Sequence, residues 1–545
     1  MLLDQTTIAA ILSRTAGQFG TQEAYVGPGE RITWAQIAEG ARRTAAALHV
    51  AGVRKGDHVG ILLGNSGAWI QTFLGIASIG AVTVPVNTRF KTEELRFCLK
   101  QADVRLLLFT DEFLGIDFRA LLQSAEPASA SALPGTELPE LRRAVMIGQG
   151  ALPAGCQSYA DFISAGAAVS AAELDTLSQA VVSDDVLLIQ YTSGTTSFPK
   201  GVMLSHANML LDAQAAAKRM GVRADDRYFS IRPFFHVAGS TLSVLVSLST
   251  GCCLLSLPKF DVAESLAILD RERCSLISGN DTIFLMLMGH PGFDAGKLHL
   301  RGGWAAAGPE VMEQIHSRMH VPGLCNAYGQ SEAAPNVLLS SFDDPLESRI
   351  HGFGFPHPGT EVRLADPVTD APRAPGEPGE IQVRGWNIMR GYYKMPEATA
   401  KAFSNDGWLK TGDLGEMNAE GRVRMLSRLK DMYRVGGENV APSEVEEVLH
   451  AHPAVRQAQV IGVPDARLGE VTGAFVLLKE GHDASREELI DWCKARAANF
   501  KVPRYLEIVD TFENIGMTGS SKVQKNKLRE HAVKLWKLAP AKAAA

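Results

Sequence analysis

Val186-Leu187-Leu188-Ile189-Gln190-Tyr191-Thr192-Ser193-Gly194-Thr195-Thr196-Ser197-Phe198-Pro199-Lys200-Gly201-Val202-Met203-Leu204 is the stretch on which the reading of this chain turns. Val186 to Ile189 is a short apolar run of the kind that forms a buried strand, and Val202 to Leu204 is a second. Ser205-His206-Ala207-Asn208 then opens a helix. The loop between them is rich in hydroxyls and glycine and ends in a lysine. Backbone amides freed by glycine, hydroxyl donors and one cation are what a polyphosphate needs. The spacing is not that of a Walker loop, because Pro199 precedes the lysine and no hydroxyl follows it. A plain solvated Ser/Thr loop is the alternative, and the length and order of the run between two apolar strands favour the ligand loop.

Working outward, a chain of 545 residues exceeds one hydrophobic core and implies a large and a smaller domain. With 46% hydrophobic and 21% charged residues it reads as an ordinary globular protein rather than a disordered one. A net charge of -6 disfavours a general nucleic-acid binder. The seven cysteines form no Cys-x-x-Cys pair, so neither a disulfide framework nor a zinc site is expected, and a cytoplasmic location is. Met1-Leu2-Leu3-Asp4 lacks the basic start and apolar core of a signal peptide. The longest uncharged stretch, 237–258, is broken at Gly251 and predicts a buried helix followed by a strand, not a membrane span. The expected partners are therefore small molecules, without nucleic acid or integral membrane contact. Oligomeric state is open, with a homodimer among the options.

Strand-like and helical runs alternate on both sides of the loop. Helices are expected over 6–20, 33–50, 69–79 and 92–101, and strands over 59–63, 81–86 and 104–109. Further strands are expected over 227–230, 252–257, 275–278, 304–307 and 324–328. This alternation predicts an α/β architecture of helix-covered, largely parallel sheets, with ligands at the carboxyl ends of strands. Residues 124–155, rich in Ala, Pro and Glu, read as a surface excursion. From about 356 the composition turns to Pro, Gly and short strands, a β-rich subdomain. Beyond Ser427-Arg428-Leu429-Lys430-Asp431 comes a compact α+β pattern with helices over 442–450 and 486–499. The expected division is an N-terminal domain over 1–429 and a small mobile C-terminal domain over 430–545.

Several further stretches hold chemistry-bearing residues: Pro233-Phe234-Phe235-His236-Val237-Ala238-Gly239, Ala306-Ala307-Gly308-Pro309-Glu310, Asn326-Ala327-Tyr328-Gly329-Gln330-Ser331-Glu332, Trp408-Leu409-Lys410-Thr411-Gly412-Asp413, Val435-Gly436-Gly437-Glu438-Asn439 and Thr518-Gly519-Ser520-Ser521-Lys522-Val523-Gln524-Lys525. Singly each has a plain reading. His236 among aromatics reads as a core histidine, Gly436-Gly437 as a hairpin turn, and Arg428 and Lys430 as a charged linker. In this order, and across most of the chain, they resemble the adenylate-forming superfamily of acyl-CoA synthetases, luciferases and peptide-synthetase adenylation domains.

The resemblance implies a set of roles. Thr192, Ser193, Gly194, Thr195, Thr196 and Lys200 would hold the β- and γ-phosphates of ATP. Ser197 stands where the family has glycine. His236 would border the acyl site. Ala307 and Gly308 would wall the adenine and the acyl group, with Asn326 and Ala327 beside them. Tyr328 would stack on adenine, Ser331 would contact the α-phosphate, and Glu332 would hold Mg2+, a hard cation suited to one carboxylate plus phosphate oxygens. Asp413 and Arg428 would bind ribose, Lys430 would be the pivot of the small domain, and Gly436 and Gly437 would reach the pantetheine arm of coenzyme A. Lys522 would be the catalytic lysine bridging carboxylate and α-phosphate, although Ser521 replaces the usual glycine before it. The implied activity is ATP-dependent formation of an acyl-AMP from a hydrophobic fatty or aromatic acid, followed by transfer to CoA. Loading of a carrier protein and a non-catalytic nucleotide-binding module remain the rival readings. Asp281, next to the expected acyl wall, is expected to face away or to cap the helix that follows it.

Overall fold

Thr33 shows how local sequence starts an element that the core then fixes. Its hydroxyl accepts from Gln36 N at 3.3 Å while Gln36 Oε1 accepts from Thr33 N at 2.9 Å. This reciprocal cap satisfies two amides that have no intrahelical partner. The helix it opens, Trp34–Val50, buries Trp34, Ile37, Ala41, Ala45 and Leu48. Helix Gly67–Ser78, capped by Ser66, crosses it so closely that a Cβ on Gly75 would lie 2.7 Å from Ala41 O. Ile8–Phe19 packs on the same pair.

The computed structural model describes residues 6–192, 199–374, 376–516 and 523–538. The chain forms two units: residues 1–362 with 383–409, and residues 363–382 with 410–545. The first contains two eight-stranded sheets. One runs Asn336–Leu339, Gly323–Gly329, Gly302–Ala306, Leu276–Asn280, Arg227–Ser230, Cys253–Leu255, Glu23–Gly27, Glu30–Thr33. Its interior pairs are parallel and its two edge pairs antiparallel. The other runs Gly391–Tyr392, Gly201–Ser205, Val186–Tyr191, Val82–Pro85, His58–Leu62, Leu106–Thr110, Arg143–Ile147, Gln157–Ser158. It is parallel from Val186–Tyr191 onward and antiparallel at the Gly201–Ser205 end. Parallel strands covered on both faces must be apolar throughout. Leu106 to Phe109 and Leu187 to Ile189 are at most 1% exposed.

The expected helix-covered, largely parallel architecture is what the first unit shows, with one local correction there and one in the second unit. Arg143–Ile147, inside the supposed surface excursion, is a sheet strand pairing in parallel with Leu106–Thr110, and Ala144 and Val145 are buried. Its Ala- and Pro-rich flanks hid a five-residue run too short to announce itself. The helix expected over 486–499 stops at Lys494. The uncharged stretch 237–258 is a buried helical segment from Val237 to Thr250 and then the strand Cys253–Leu255, as expected. Among the described residues no helix is long and apolar enough to cross a membrane.

The β-rich stretch forms a four-stranded sheet, Thr360–Ala365, Gly379–Gly385, Leu409–Met417, Val423–Arg428, and the unit boundaries fall within its strands. Lys430, the expected junction, lies inside the second unit. That unit has its own core, in which Val445, Leu449, Val460, Ala474, Phe475, Leu489 and Leu528 are fully or almost fully buried. Its five-stranded sheet is covered by Pro442–His450 and Lys525–Leu535. Pro442 opens its helix at a position whose amide would have no partner anyway, with Glu444 accepting from Ala441 N at 3.3 Å.

Candidate active site

Strands Val186–Tyr191 and Gly201–Ser205 form a hairpin, with Tyr191 opposite Gly201. Thr192 N donates to Lys200 O at 3.1 Å, so the stem closes at the base of the expected phosphate loop. Ser193, Gly194, Thr195 and Thr196, with Ser197 and Phe198, lie outside the described residues. Lys200 is described, and its Nζ sits 4.1 Å from the centre of the Tyr392 ring. Tyr392 belongs to the strand next to Gly201–Ser205 and donates its hydroxyl proton to Glu332 Oε1 at 2.8 Å. Burial, and then the Glu332 carboxylate, push the phenol far above its usual range. A cation, a π face, a phenol and a carboxylate therefore stand in line. Tyr392 carries none of the motifs and was missed. The Gly391-Tyr392-Tyr393 run was its only sequence signal.

Glu332 is placed by a tight turn after strand Gly323–Gly329. Gln330 N donates to Pro335 O at 2.8 Å and Met389 N to Glu332 O at 2.9 Å. Gly329 is required there, since a Cβ would fall 1.9 Å from Pro335 O. Tyr328, Ser331 and Glu332 are half-buried at this strand end. Asn326 holds the neighbouring strand end, donating from Nδ2 to Ala307 O at 3.0 Å and to Arg349 O at 3.3 Å. Ala327 is buried, Ala307 is partly exposed and Gly308 is open to solvent. A flat ligand can approach the backbone there.

Asp281 is not the helix cap. Asn280 is the cap, accepting from Ile283 N at 3.2 Å, and Asp281 Oδ1 accepts from Gly308 N at 3.0 Å. The carboxylate thus ties the Leu276–Asn280 strand end to the Ala307-Gly308 turn. His236 is exposed, at the start of the buried helical segment, and its Nδ1 accepts from Ala238 N at 3.2 Å. A ring nitrogen that accepts carries no proton, so Nε2 is the donor of the neutral ring. Gly239 is the price of that turn: a Cβ would meet Pro233 O at 2.1 Å.

Between these strand ends the sheet surface is polar. Ser230, Ser278 and Trp304 are in register across three parallel strands. Ser278 Oγ bonds Ser230 Oγ at 2.8 Å, and Ser230 Oγ bonds Ser243 Oγ at 2.7 Å. Trp304 Nε1 donates to Tyr228 OH at 2.9 Å, which donates to Leu242 O at 3.0 Å. Arg232, also missed from sequence, lies over Trp304 with its guanidinium carbon 5.0 Å from the ring centre.

In the second unit Asp413 and Arg428 face each other across adjacent antiparallel strands. Asp413 Oδ1 lies 3.8 Å from Arg428 Nε, with the carboxylate buried and the guanidinium partly exposed. Lys430 is exposed at the surface, though crowded by its neighbours. Partial desolvation first, and then the Arg428 charge, lower its pKa. Gly436 and Gly437 form the two-residue turn between Tyr433–Val435 and Glu438–Val440, with φ of +59° and +99°. Side-chain-bearing residues rarely adopt two successive left-handed conformations. Lys522 lies outside the described residues. Lys525, its near neighbour, is committed to Glu446 Oε1 at 2.7 Å.

A hairpin stem ending at Lys200, the Lys200–Tyr392–Glu332 array and a second unit carrying its own polar pair suit a two-domain nucleotide-using enzyme. Residues 12–393 match the AMP-binding enzyme family and residues 444–522 the C-terminal domain of AMP-binding enzymes. The chain belongs to the AMP-binding enzyme family, and its class is that of the acyl-CoA synthetases and CoA ligases. It is 39% identical to the protein YngI of Bacillus subtilis (strain 168), covering 98% of this chain and 99% of the relative. It is 37% identical to the 3-[(3aS,4S,7aS)-7a-methyl-1,5-dioxo-octahydro-1H-inden-4-yl]propanoyl:CoA ligase of Rhodococcus jostii (strain RHA1), covering 96% and 98%. The crystal structure of the anthranilate CoA ligase AuaEII with anthranoyl-AMP superposes with a TM-score of 0.85 at 26% identity, covering 99% of both chains. The substrates of this class are ATP and CoA, and its standard metal is Mg2+. The residues present suit that metal. Among the described residues no group of three or more ligating side chains exists, whereas Mg2+ needs only one or two carboxylates beside phosphate oxygens, and Glu332 supplies one.

Proposed function

We propose that this enzyme activates a hydrophobic carboxylic acid, aliphatic or aromatic, as its acyl-adenylate and then passes the acyl group to CoA. The observation that carries this reading is the Lys200–Tyr392–Glu332 array in the same unit as the tied Ala307-Gly308 strand end. One member suits an anionic leaving group, another a cation. The bared strand end suits a planar base and an acyl group. Lys200 holds the outgoing pyrophosphate with the loop, and Tyr328 and Ser331 orient the adenosine and the α-phosphate. Mg2+, held by Glu332, supplies charge neutralisation on the phosphates. His236 borders the carboxylate, Asp413 and Arg428 bind the ribose, and Lys522 bridges the two anions. The small domain, over 430–545, then pivots at Lys430 and brings Gly436-Gly437 to the pantetheine arm. One site in this way serves two half-reactions. A cytoplasmic place in fatty- or aromatic-acid activation fits the seven cysteines, all free thiols and six of them buried.

Purified protein with Mg-ATP, CoA and a panel of aliphatic and aromatic acids tests this. AMP should appear only when both an acid and CoA are present. AMP formation that needs a carrier protein instead of CoA would move the chain to the carrier-loading class. No acid-dependent pyrophosphate exchange with any acid would leave a nucleotide-binding module. Lys200→Ala should lower adenylation about tenfold, mainly through KM for ATP. It removes one charged contact, worth about 1.4 kcal/mol, to a group that leaves. An unchanged KM for ATP would contradict that role.

A further inference from the structure

Arg232 is a half-buried cation whose side chain has no hydrogen-bond or ionic partner among the described residues. Its Nε is shut off from solvent and has no hydrogen-bond partner, and among the described residues its guanidinium makes no ion pair. The charge of Asp281 reaches it, but that carboxylate is bonded to Gly308 N. Burial pushes the Arg232 pKa down to about 10, which still leaves the group charged at neutral pH. The shut-off Nε donor is left without an acceptor, and an unpaired buried donor is costly.

Its position is built rather than accidental. Asn65 Nδ2 donates to Arg232 O at 2.9 Å and to Ser256 Oγ at 2.9 Å, while Asn65 Oδ1 accepts from Phe234 N at 2.8 Å. The chain is thereby pinned on both sides of Pro233, two residues beyond strand Arg227–Ser230. The guanidinium rests over Trp304, whose own N–H is spent on Tyr228. Ser230, Ser243 and Ser278 likewise satisfy one another, so none of these groups is left to pair with it. Thr241 Oγ1, in the buried helical segment that follows His236, is also without a partner.

We propose that Arg232 is a specificity residue that receives a second oxygen acceptor on the acid, a carboxylate or ketone oxygen remote from the carboxyl that reacts. The preferred substrate is then an oxygen-substituted hydrophobic acid rather than a plain one. This rests on the acid-activating reading above and narrows its substrate class. The guanidinium donates N–H bonds to the remote oxygen, and an acid lacking that oxygen leaves the donors unpaired. A site built around buried donors discriminates more strongly than an apolar pocket does.

Acid-dependent pyrophosphate exchange on two matched trios tests the assignment: octanoic, 7-oxooctanoic and octanedioic acids, and benzoic, 4-acetylbenzoic and terephthalic acids. In the native enzyme an oxygenated member should exceed the plain acid about tenfold or more in kcat/KM. The better of ketone and diacid identifies the group. Arg232→Met should collapse that ratio to about twofold or less while leaving the plain acid within about threefold, and Arg232→Lys should restore part of it. Preference of the native enzyme for the plain acids would overturn the proposal. So would equal loss on all acids in Arg232→Met, which would assign Arg232 to the reacting carboxylate. The ligand-free melting temperature provides an independent reading. It should be unchanged or higher in Arg232→Met, because an unpaired buried donor is removed, and a clear fall would make Arg232 a structural residue. Failure of the underlying reading looks different: no acid in either trio then supports exchange, and the melting shift alone decides whether Arg232 is an unpaired donor.

Discussion

Lys522→Ala is expected to lower acid-dependent pyrophosphate exchange about a hundredfold or more, while thioester formation from supplied acyl-adenylate stays within about threefold. The first half-reaction brings a carboxylate against a phosphate. Two like charges at 4 Å repel by about 4 kcal/mol at an effective dielectric of about 20. A lysine between them converts that repulsion into two attractions at the moment of attack. The second half-reaction has no such pair of anions, because the carboxylate has become an acyl group. Lys525 cannot stand in, since its ammonium is tied to Glu446 at 2.7 Å. Rates for the two half-reactions, measured separately on one preparation, decide the matter. Equal loss in both would remove Lys522 from the role.

Glu332→Gln is the second large effect. The amide keeps an oxygen for the Tyr392 hydroxyl, and the backbone bond from Met389 N to Glu332 O does not involve the side chain. The substitution therefore removes charge with little change of shape. Adenylation should fall about a hundredfold and its Mg2+ titration should move to higher concentration, because a neutral amide is a poor ligand for a hard cation. Tyr392→Phe, which keeps the ring under Lys200 and loses only the hydroxyl, should cost less than about tenfold. A Glu332→Gln enzyme with the native Mg2+ midpoint would show that the carboxylate serves the Tyr392 hydroxyl rather than the metal.

The sequence by itself determined what depends on near neighbours along the chain. The helix over 33–50 was legible because its apolar positions recur three and four residues apart. The apolar runs at 106–109 and 187–189 announced buried strands because a strand covered on both faces must be apolar throughout. The motif order supplied the family. Where a strand was short and its flanks misleading, as at Arg143–Ile147, local pattern failed, and pairing with Leu106–Thr110 decided it.

Only the tertiary structure decided which side chains meet. Tyr392 reaches Glu332 across 60 residues, Asp281 reaches Gly308 across 27, and Asn65 pins the Arg232 turn from 167 residues away. No periodicity carries such pairings, because they arise where separate strands end side by side at a sheet edge. Asp281 therefore looked like a cap and proved to be a tie. Arg232 drew no reading from sequence, and an unpartnered, shut-off Nε over Trp304 set it apart. Propensity and capping act within a turn or two of chain, whereas a site is made by strand register and by the cost of leaving a buried polar group unpaired.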